Sequence, residues 1–363
     1  MSSSLSALEA RIARLFGYRD AVLFGRARSA VVALLEVRGG AGAFVMPSNL
    51  CPDLWLAVHR AGASPIVLAE VDPGTGLAAD EALVGAMAAQ AQPGVVMPAH
   101  LYGLVQQYPK TIAYARAHGW FILENDTIAT KAAGVPGCAA FGDALVVSFG
   151  HAKGIEAGGG GALVTSDPAL AAALRARAQC YAELDDQVLA DEAEFVLLAR
   201  RLRQGASGAE RERLLLAQAP DARWRFPAAL APALDSALVG FARVLEQRRE
   251  CLHLWQQALA PLASQLHTPP VACAFPWRLT LRVPDRRDDV VRGLRAAGID
   301  AGTNFPPLSD SFPLLLADQV QPGAQQWGRE VLNLWLTPEY DAPRVKQAAR
   351  IIEGVFDGGQ ERS

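Results

Sequence analysis

The sequence predicts an α/β protein built on a mostly parallel sheet with a smaller C-terminal α+β part, and three observations predict it. From about residue 20, short apolar runs alternate with longer Ala/Leu-rich stretches of helical periodicity, the pattern of strands joined by crossover helices. The chain has 363 residues, 51% of them hydrophobic, enough to bury a large core. Composition shifts around Pro220 to Pro232, and the residues beyond that shift have a different order of elements.

In chain order, an amphipathic stretch containing Glu9, Arg11 and Arg14 comes first, and strands are predicted at Phe44-Val45-Met46, Ile66-Val67-Leu68, Val95-Val96-Met97, Phe121-Ile122-Leu123, Leu145 to Phe149 and Ala162-Leu163-Val164. Helical periodicity places helices over Asp53 to Arg60, Asp80 to Gln90, Tyr108 to His118 and Pro168 to Ala178. A polar, Arg/Glu-rich helical stretch runs from Ala182 to Glu212, and a long helix from Ala233 to Ala260. The C-terminal third reads as a strand (Arg278 to Val283), a helix (Arg287 to Ala297), an extended piece through Asn304-Phe305-Pro306-Pro307, a strand (Val331 to Leu336) and a final helix. The domains expected are residues 1–230 and 231–363, the second including the connecting helix.

Composition excludes several function classes. The formal net charge is -3, with 34 Lys and Arg scattered among 37 Asp and Glu, so no basic stripe for nucleic acid or anionic lipid is expected. Cys51, Cys138, Cys180, Cys251 and Cys273 are odd in number and widely spaced, without a CxxC pair or a histidine at zinc-ligand spacing, and read as reduced thiols. The first residues lack the apolar core of a signal peptide, and no apolar run suggests a membrane span, so a cytoplasmic protein is expected. No GxSxG turn marks a hydrolase nucleophile.

Ligands of such sheets collect beyond the carboxyl ends of the strands. The loops there are chemically rich: Pro47 to Pro52, Pro98 to Gly103, Glu124-Asn125-Asp126 and Gly150 to Gly161. Lys153 stands in the last, followed by Gly158-Gly159-Gly160-Gly161. A glycine-rich connection between two strands positions a lysine by backbone, though a surface loop explains the same residues. His100 and His151 lie in the same set of loops and suit acid/base work or substrate contact, with a structural histidine the alternative, strongest for His100.

The order of these pieces resembles the DegT/DnrJ/EryC1/StrS family of pyridoxal 5'-phosphate (PLP)-dependent aminotransferases, which act mainly on nucleotide-linked keto sugars. The resemblance is carried by Gly25-Arg26-Ala27-Arg28-Ser29-Ala30, Ala61 to Pro65 leading to Val71-Asp72-Pro73, His100-Leu101-Tyr102-Gly103, His118-Gly119 with Glu124 after the next strand, Phe141-Gly142-Asp143, Ser148-Phe149-x-x-x-Lys153 ending in glycines, and Val331 to Leu334 with Pro338-Glu339. It implies the fold type I architecture of PLP-dependent transferases and a Schiff base on Lys153, whose amine later moves the proton between substrate and cofactor. It further implies phosphate contacts from Arg28, Ser29 and Ser148, side chains of Asn49 and Cys51 near the cofactor face, a substrate segment at Asn304-Phe305, and a homodimer with shared active sites in which Arg223, within Arg223-Trp224-Arg225, reaches the neighbouring phosphate. The small-molecule partners implied are an amino donor and a keto substrate.

The chain departs from the family pattern at several places. Where the family has Glu-Asp, it reads Glu124-Asn125-Asp126. An ungapped alignment sets Asn125 at the pyridine nitrogen, while the chemical need for an acid favours Asp126, which reaches that face only if the strand has ended or bulges. Ile128 or Ala129 replaces the following glutamine, Cys51 replaces a ring-covering aromatic, and the glutamate of the glycine segment is shifted to Glu156. These departures keep open a dehydratase or eliminase of the same fold, and a non-catalytic member acting as a binding partner.

Overall fold

The computed structural model describes residues 2–40, 42–104, 106–128, 140–205, 207–271 and 273–357. Ala129 and Cys138, named above, lie outside them.

Helix α1 (Ser2–Phe16) buries Leu8, Ile12 and Phe16, one stripe at i, i+4, i+8. The large sheet then takes β1 (Asp20–Phe24), β2 (Phe44–Pro47), β3 (Ile66–Ala69), β4 (Val95–Val96), β5 (Phe121–Asn125), β6 (Ala144–Ser148) and β7 (Gly161–Thr165). The intervening helices are α2 (Ala27–Val37), α3 (Pro52–Arg60), α4 (Asp80–Ala88) and α5 (Pro109–Ala117), with α6 (Pro168–Gln179) after β7. Two-residue strands β8 (Ala182–Glu183) and β9 (Trp224–Arg225) flank α7 (Asp186–Gly205) and α8 (Gly208–Gln218). The polar stretch expected as one helical region is thus two helices, the second started by Ser207, whose hydroxyl accepts the Glu210 N–H.

The sheet order is β3-β2-β4-β5-β6-β7-β1-β9-β8. Strands β3 to β6 run parallel, and β7 and β1 are antiparallel to their neighbours. The outer edge of β3 is met by glutamines rather than another strand. Gln319 Oε1 accepts from the Leu68 N–H (2.8 Å), its Nε2 donates to the Ile66 carbonyl (3.0 Å), and Gln321 Nε2 donates to the Leu68 carbonyl (3.0 Å).

The long α9 (Ala231–Leu259) joins two apolar cores. Phe241 and Leu245 belong to the core of the large sheet; Cys251, Trp255 and Leu259 belong to that of the second sheet. With its flanking turns it has the length and, over one 18-residue window, the mean hydropathy (1.5) of a membrane-crossing helix, and most of that window is not buried, though Leu234 and Trp255 of the helix are enclosed by protein. The second sheet is antiparallel, β10 (Arg278–Arg282), β12 (Val331–Trp335) and β11 (Ala301–Gly302), with α10 (Arg287–Ala296) and α13 (Ala342–Asp357) packed on it. Short α11 (Leu308–Ser311) and α12 (Pro322–Glu330) lie between β11 and β12.

Register decides which side chains share a face. Met46 follows Phe44, which pairs with Val95; Val95 pairs with Phe121; and Asn125 pairs with Val146. Side chains alternate along each strand. Met46, Ser48, Met97, Leu123, Asn125, Val146 and Ser148 therefore fall on one face, that of the main core. Val45, Val96, Ile122, Glu124 and Asp126 fall on the other, where Val45, Val96 and Ile122 form a separate cluster with Tyr108 and Trp120.

Candidate active site

The loop from β6 to β7 is pinned by backbone. Phe149 N donates to the Gly160 carbonyl (3.0 Å), Ala157 N to the Phe149 carbonyl (2.9 Å), and Gly160 N to the Gly25 carbonyl (3.1 Å). Gly161 lies against the start of α2, where a Cβ would stand 2.5 Å from Ala27 backbone atoms, so only glycine permits this approach. The loop places Lys153 in a partly buried position, where desolvation lowers its pKa; Cys51 opposes that shift and Arg278 adds to it.

Ala152, just before the lysine, has a φ of 62°, in the left-handed region. It is held at both ends: its N–H donates to Glu156 Oε2 (3.0 Å), and its carbonyl accepts from Trp277 Nε1 (2.7 Å). His151 points outward, with a side chain 82% exposed and Nδ1 2.9 Å from Glu156 Oε1. Glu156 thus clamps the outside of the turn.

At the start of α2, Arg26 occupies the N-cap, and its side chain makes no capping hydrogen bond to the first N–H groups of the helix. Ser29 is fully buried and its Oγ has no hydrogen-bond partner among the described residues. Ser148 Oγ accepts from the Gly150 N–H (3.3 Å). Arg28 is engaged elsewhere, pairing with Glu192 of α7, which also takes Arg26 (2.6 Å). Arg223 pairs with Glu36 (2.7 Å) and Asp221 (3.2 Å), and the Glu36 hydrogen bond raises its pKa.

At the end of β5, Glu124 is fully buried among hydrogen bonds. Its Oε1 accepts from Phe141 N and Gly142 N (both 2.7 Å) and from the Tyr18 hydroxyl (3.3 Å), and Oε2 lies 2.9 Å from His100 Nε2. Burial, then the Glu124 charge, raises the Tyr18 pKa, and Asp126 contributes to the same rise. His100 is buried and forms edge contacts with Tyr108 and Phe141. On the opposite face, Asn125 Nδ2 lies 3.8 Å from Met97 Sδ and its Oδ1 accepts from Thr127 N (3.3 Å). The ladder continues without a bulge, since Asp126 N still donates to the Val146 carbonyl (3.0 Å).

Beyond β2, the Oγ of buried Ser48 and the Oδ1 of buried Asn49 also have no partner among the described residues. Asn49 Nδ2 donates to the Gly76 carbonyl (2.8 Å) and approaches Tyr102 Oη (3.4 Å). That hydroxyl oxygen also accepts from Trp327 Nε1 (2.8 Å) and Phe305 N (3.2 Å). Cys51 is an exposed residue, yet desolvation of its thiol, then Asp53, pushes the pKa up to about 11. Lys153 and Arg28 act on it in the other direction.

The structure thus gathers Lys153 and Arg28 within electrostatic reach of Cys51 and sets Asn125, Ser48 and Ser148 on one sheet face. It turns His151 and Arg223 toward other partners. The sequence reading missed Glu192 and the group Trp277, Arg278 and Trp335. Trp277-Arg278 at the head of a strand was the available signal, but its third member comes from β12.

Among known proteins, the model of the DegT/DnrJ/EryC1/StrS aminotransferase family matches residues 2–355. The erythromycin biosynthesis sensory transduction protein EryC1 of Saccharopolyspora erythraea is 35% identical over 148 residues, 40% of this chain and only 39% of that protein's length. The dTDP-3-amino-3,4,6-trideoxy-alpha-D-glucose transaminase of Streptomyces venezuelae is 27% identical over 325 residues, 86% of this chain and 75% of that enzyme. Of the solved structures, DesI in the presence of its TDP-sugar product superposes with a TM-score of 0.76 at 21% identity, covering 99% of this chain and 88% of that one. The fold is that of the type I PLP-dependent transferases, and the chain belongs to the DegT/DnrJ/EryC1/StrS aminotransferase family.

Proposed function

We propose, with that family membership as the premise, that this chain is a PLP-dependent aminotransferase. It takes an amino group from an amino acid, with glutamate the expected donor, and delivers it to a keto group of a nucleotide-linked sugar or related metabolite. Relatives named as sugar transaminases support the substrate class. The observation that carries the reading is Lys153, held at the carboxyl edge of the sheet in a backbone-pinned turn with its pKa lowered. A lowered pKa leaves more of the amine neutral, the form that attacks a carbonyl.

The residues present fit the cofactor. The start of α2, which the Arg26 side chain does not cap, and the unpartnered Ser29 Oγ suit a phosphate, and Ser48 and Asn49 offer further unpartnered polar atoms. When bound, the cofactor supplies an electron sink for charge developing at the substrate α-carbon. Lys153 would hold it and move the proton, and Ser29 and Ser148 would bind its phosphate. Arg28 would contribute charge nearby, modulated by Glu192. Sheet register supports Asn125 rather than Asp126 as the side chain facing the ring, because Asn125 shares the face of Ser148 while Asp126 shares that of Glu124. The exposed position of His151 supports at most a contact with substrate entering from solvent. A homodimer completed by Arg223 of the second copy, a cytoplasmic location, and a division between residues 1–230 and 231–363 belong to the same proposal.

The test is the visible spectrum of the protein with PLP before and after L-glutamate. A visible band that glutamate converts to the pyridoxamine form is expected. A band that no amino donor changes would favour a dehydratase of the same fold, and no band at all would leave a non-catalytic binding role.

A further inference from the structure

A carboxylate from α7 reaches the head of α2 and takes two guanidinium groups at once. It belongs to Glu192, whose side chain is 12% exposed, with those of Arg26 and Arg28 at 17% each. Glu192 Oε2 accepts from Arg26 Nε (2.9 Å) and Nη2 (2.6 Å), and its Oε1 accepts from Arg28 Nη2. The Asp53 carboxylate lies 4.0 Å from Arg28 Nη1. Arg26 in turn rests on the glycine run between Lys153 and β7. A Cβ on Gly159 would stand 2.7 Å from Arg26 Nη1, and the Arg26 backbone bridges to Gly160. One acid thus touches, through two arginines, both the start of α2 and the lysine loop.

The charges here suit an anion and already have one. Two guanidinium groups at a helix N-terminus, beside the buried Ser29 Oγ that has no partner among the described residues, favour a phosphate. Glu192 offsets one of those two positive charges and engages their N–H donors, so an arriving dianion meets both repulsion and occupied donors. The acid has room to turn. Glu192 and Arg28 line a cavity of about 80 Å³ between α2, α3 and α7, shared with Leu56, Phe195 and Ala222. Nor is α7 sunk deeply in the core: Phe195 and Leu202 are buried, while Leu189, Val196 and Leu197 are exposed.

We infer that Glu192 is a built-in competitor for the cofactor phosphate at the head of α2, and so the residue that sets how tightly this chain holds its cofactor; the inference rests on the aminotransferase reading. On loading, Arg26 and Arg28 leave the carboxylate for the phosphate, and α7 loses that anchor. On release, Glu192 takes the arginines back. Removing the acid frees both arginines, so phosphate binds more tightly. Loss of a merely structural ion pair would do the opposite, since it leaves the arginines unplaced and phosphate more weakly held. The phosphates of a nucleotide sugar are the other source of the same chemistry.

Calorimetric titration of the cofactor-free full chain with inorganic phosphate compares wild type with Glu192→Gln, which keeps the shape of the side chain and removes its charge. The variant should bind phosphate and PLP at least about threefold more tightly, with unchanged affinity for pyridoxal, which lacks the phosphate. The gain should shrink as salt is raised toward about 1 M. Wild-type protein gives a second reading that needs no variant. Phosphate should speed amide hydrogen exchange over residues 188–197 of α7 while slowing it at the start of α2. Phosphate binding that is unchanged or weaker in the folded Gln variant, or α7 amides that phosphate protects, would overturn the assignment. So would a gain in affinity for thymidine diphosphate in PLP-loaded Glu192→Gln with PLP affinity unaltered, which would give the residue to the nucleotide. If neither protein forms a visible band with PLP, the aminotransferase reading fails instead, and the phosphate comparison still decides what Glu192 does.

Discussion

Replacing Trp277 by phenylalanine should loosen the cofactor's grip without unfolding the protein. Ala152 sits in the left-handed region, which costs an alanine about 1–2 kcal/mol. Two hydrogen bonds, to Glu156 and from Trp277, each return about 1 kcal/mol, so the turn before Lys153 is close to balance. Trp277→Phe keeps a ring against Phe305 and Arg278 but removes the N–H and strands the Ala152 carbonyl, a cost of about 1–2 kcal/mol. The dissociation constant for PLP should rise about tenfold. Ala152→Gly lowers the backbone cost by about 1 kcal/mol, so the double variant Trp277→Phe/Ala152→Gly should recover most of the affinity. Titration with PLP by visible absorbance reads the effect, and near-UV circular dichroism checks the fold. Wild-type affinity in Trp277→Phe, or a deficit the glycine leaves untouched, would refute the idea that this bond holds the lysine turn.

The same geometry sets three other expectations. Asn125→Ala should weaken PLP binding about tenfold, the worth of one buried hydrogen bond, while Asp126→Asn changes it less than about threefold; the reverse order in a binding titration would contradict the face assignment. Glu124→Ala leaves the Phe141 and Gly142 N–H groups and His100 without their buried acceptor and should cost about 3–5 kcal/mol, whereas Glu124→Gln preserves most contacts and should cost less than half of that, read from urea unfolding midpoints. Attachment of PLP to Lys153 needs the neutral amine, so its rate should fall as pH drops through the lysine pKa. Because that pKa is depressed, the reaction should persist to lower pH than at an exposed lysine, and Arg278→Gln should move the fall to higher pH, measured by stopped-flow absorbance.

The strands from β2 to β7 were legible to within a residue or two because each is a dense apolar run bounded by polar loops. Strand β1 escaped, as did β8, β9 and β11, two residues long each and too short to carry any period. The place of Lys153 in a turn between two strands was legible because glycines and a strand end frame it within one segment. Arg278 was not, since its environment is assembled from Trp277, Gly302 and Trp335 on three different strands or their approaches. The faces taken by Asn125 and Asp126 depend on pairing with Val146, a long-range register that sequence alternation alone does not fix. His151 lies two residues before Lys153 along the chain, yet its side chain is 82% exposed and sits against Glu156, which nearness in sequence does not foretell.

The glutamines at β3 have a consequence for how this molecule behaves in a crowded solution. A bare rim strand is a template on which another copy's backbone can dock, the first step toward stacked, insoluble aggregates. Gln319 and Gln321 occupy both the donor and acceptor positions of that rim with side-chain amides, as a borrowed strand without a backbone to extend. The growth end on this side is sealed by residues that come from far along the chain, so it stays open until they arrive. A folding intermediate in which residues 319–321 have not yet docked is the species most exposed to clumping, and the point at which synthesis or refolding at high concentration would lose material.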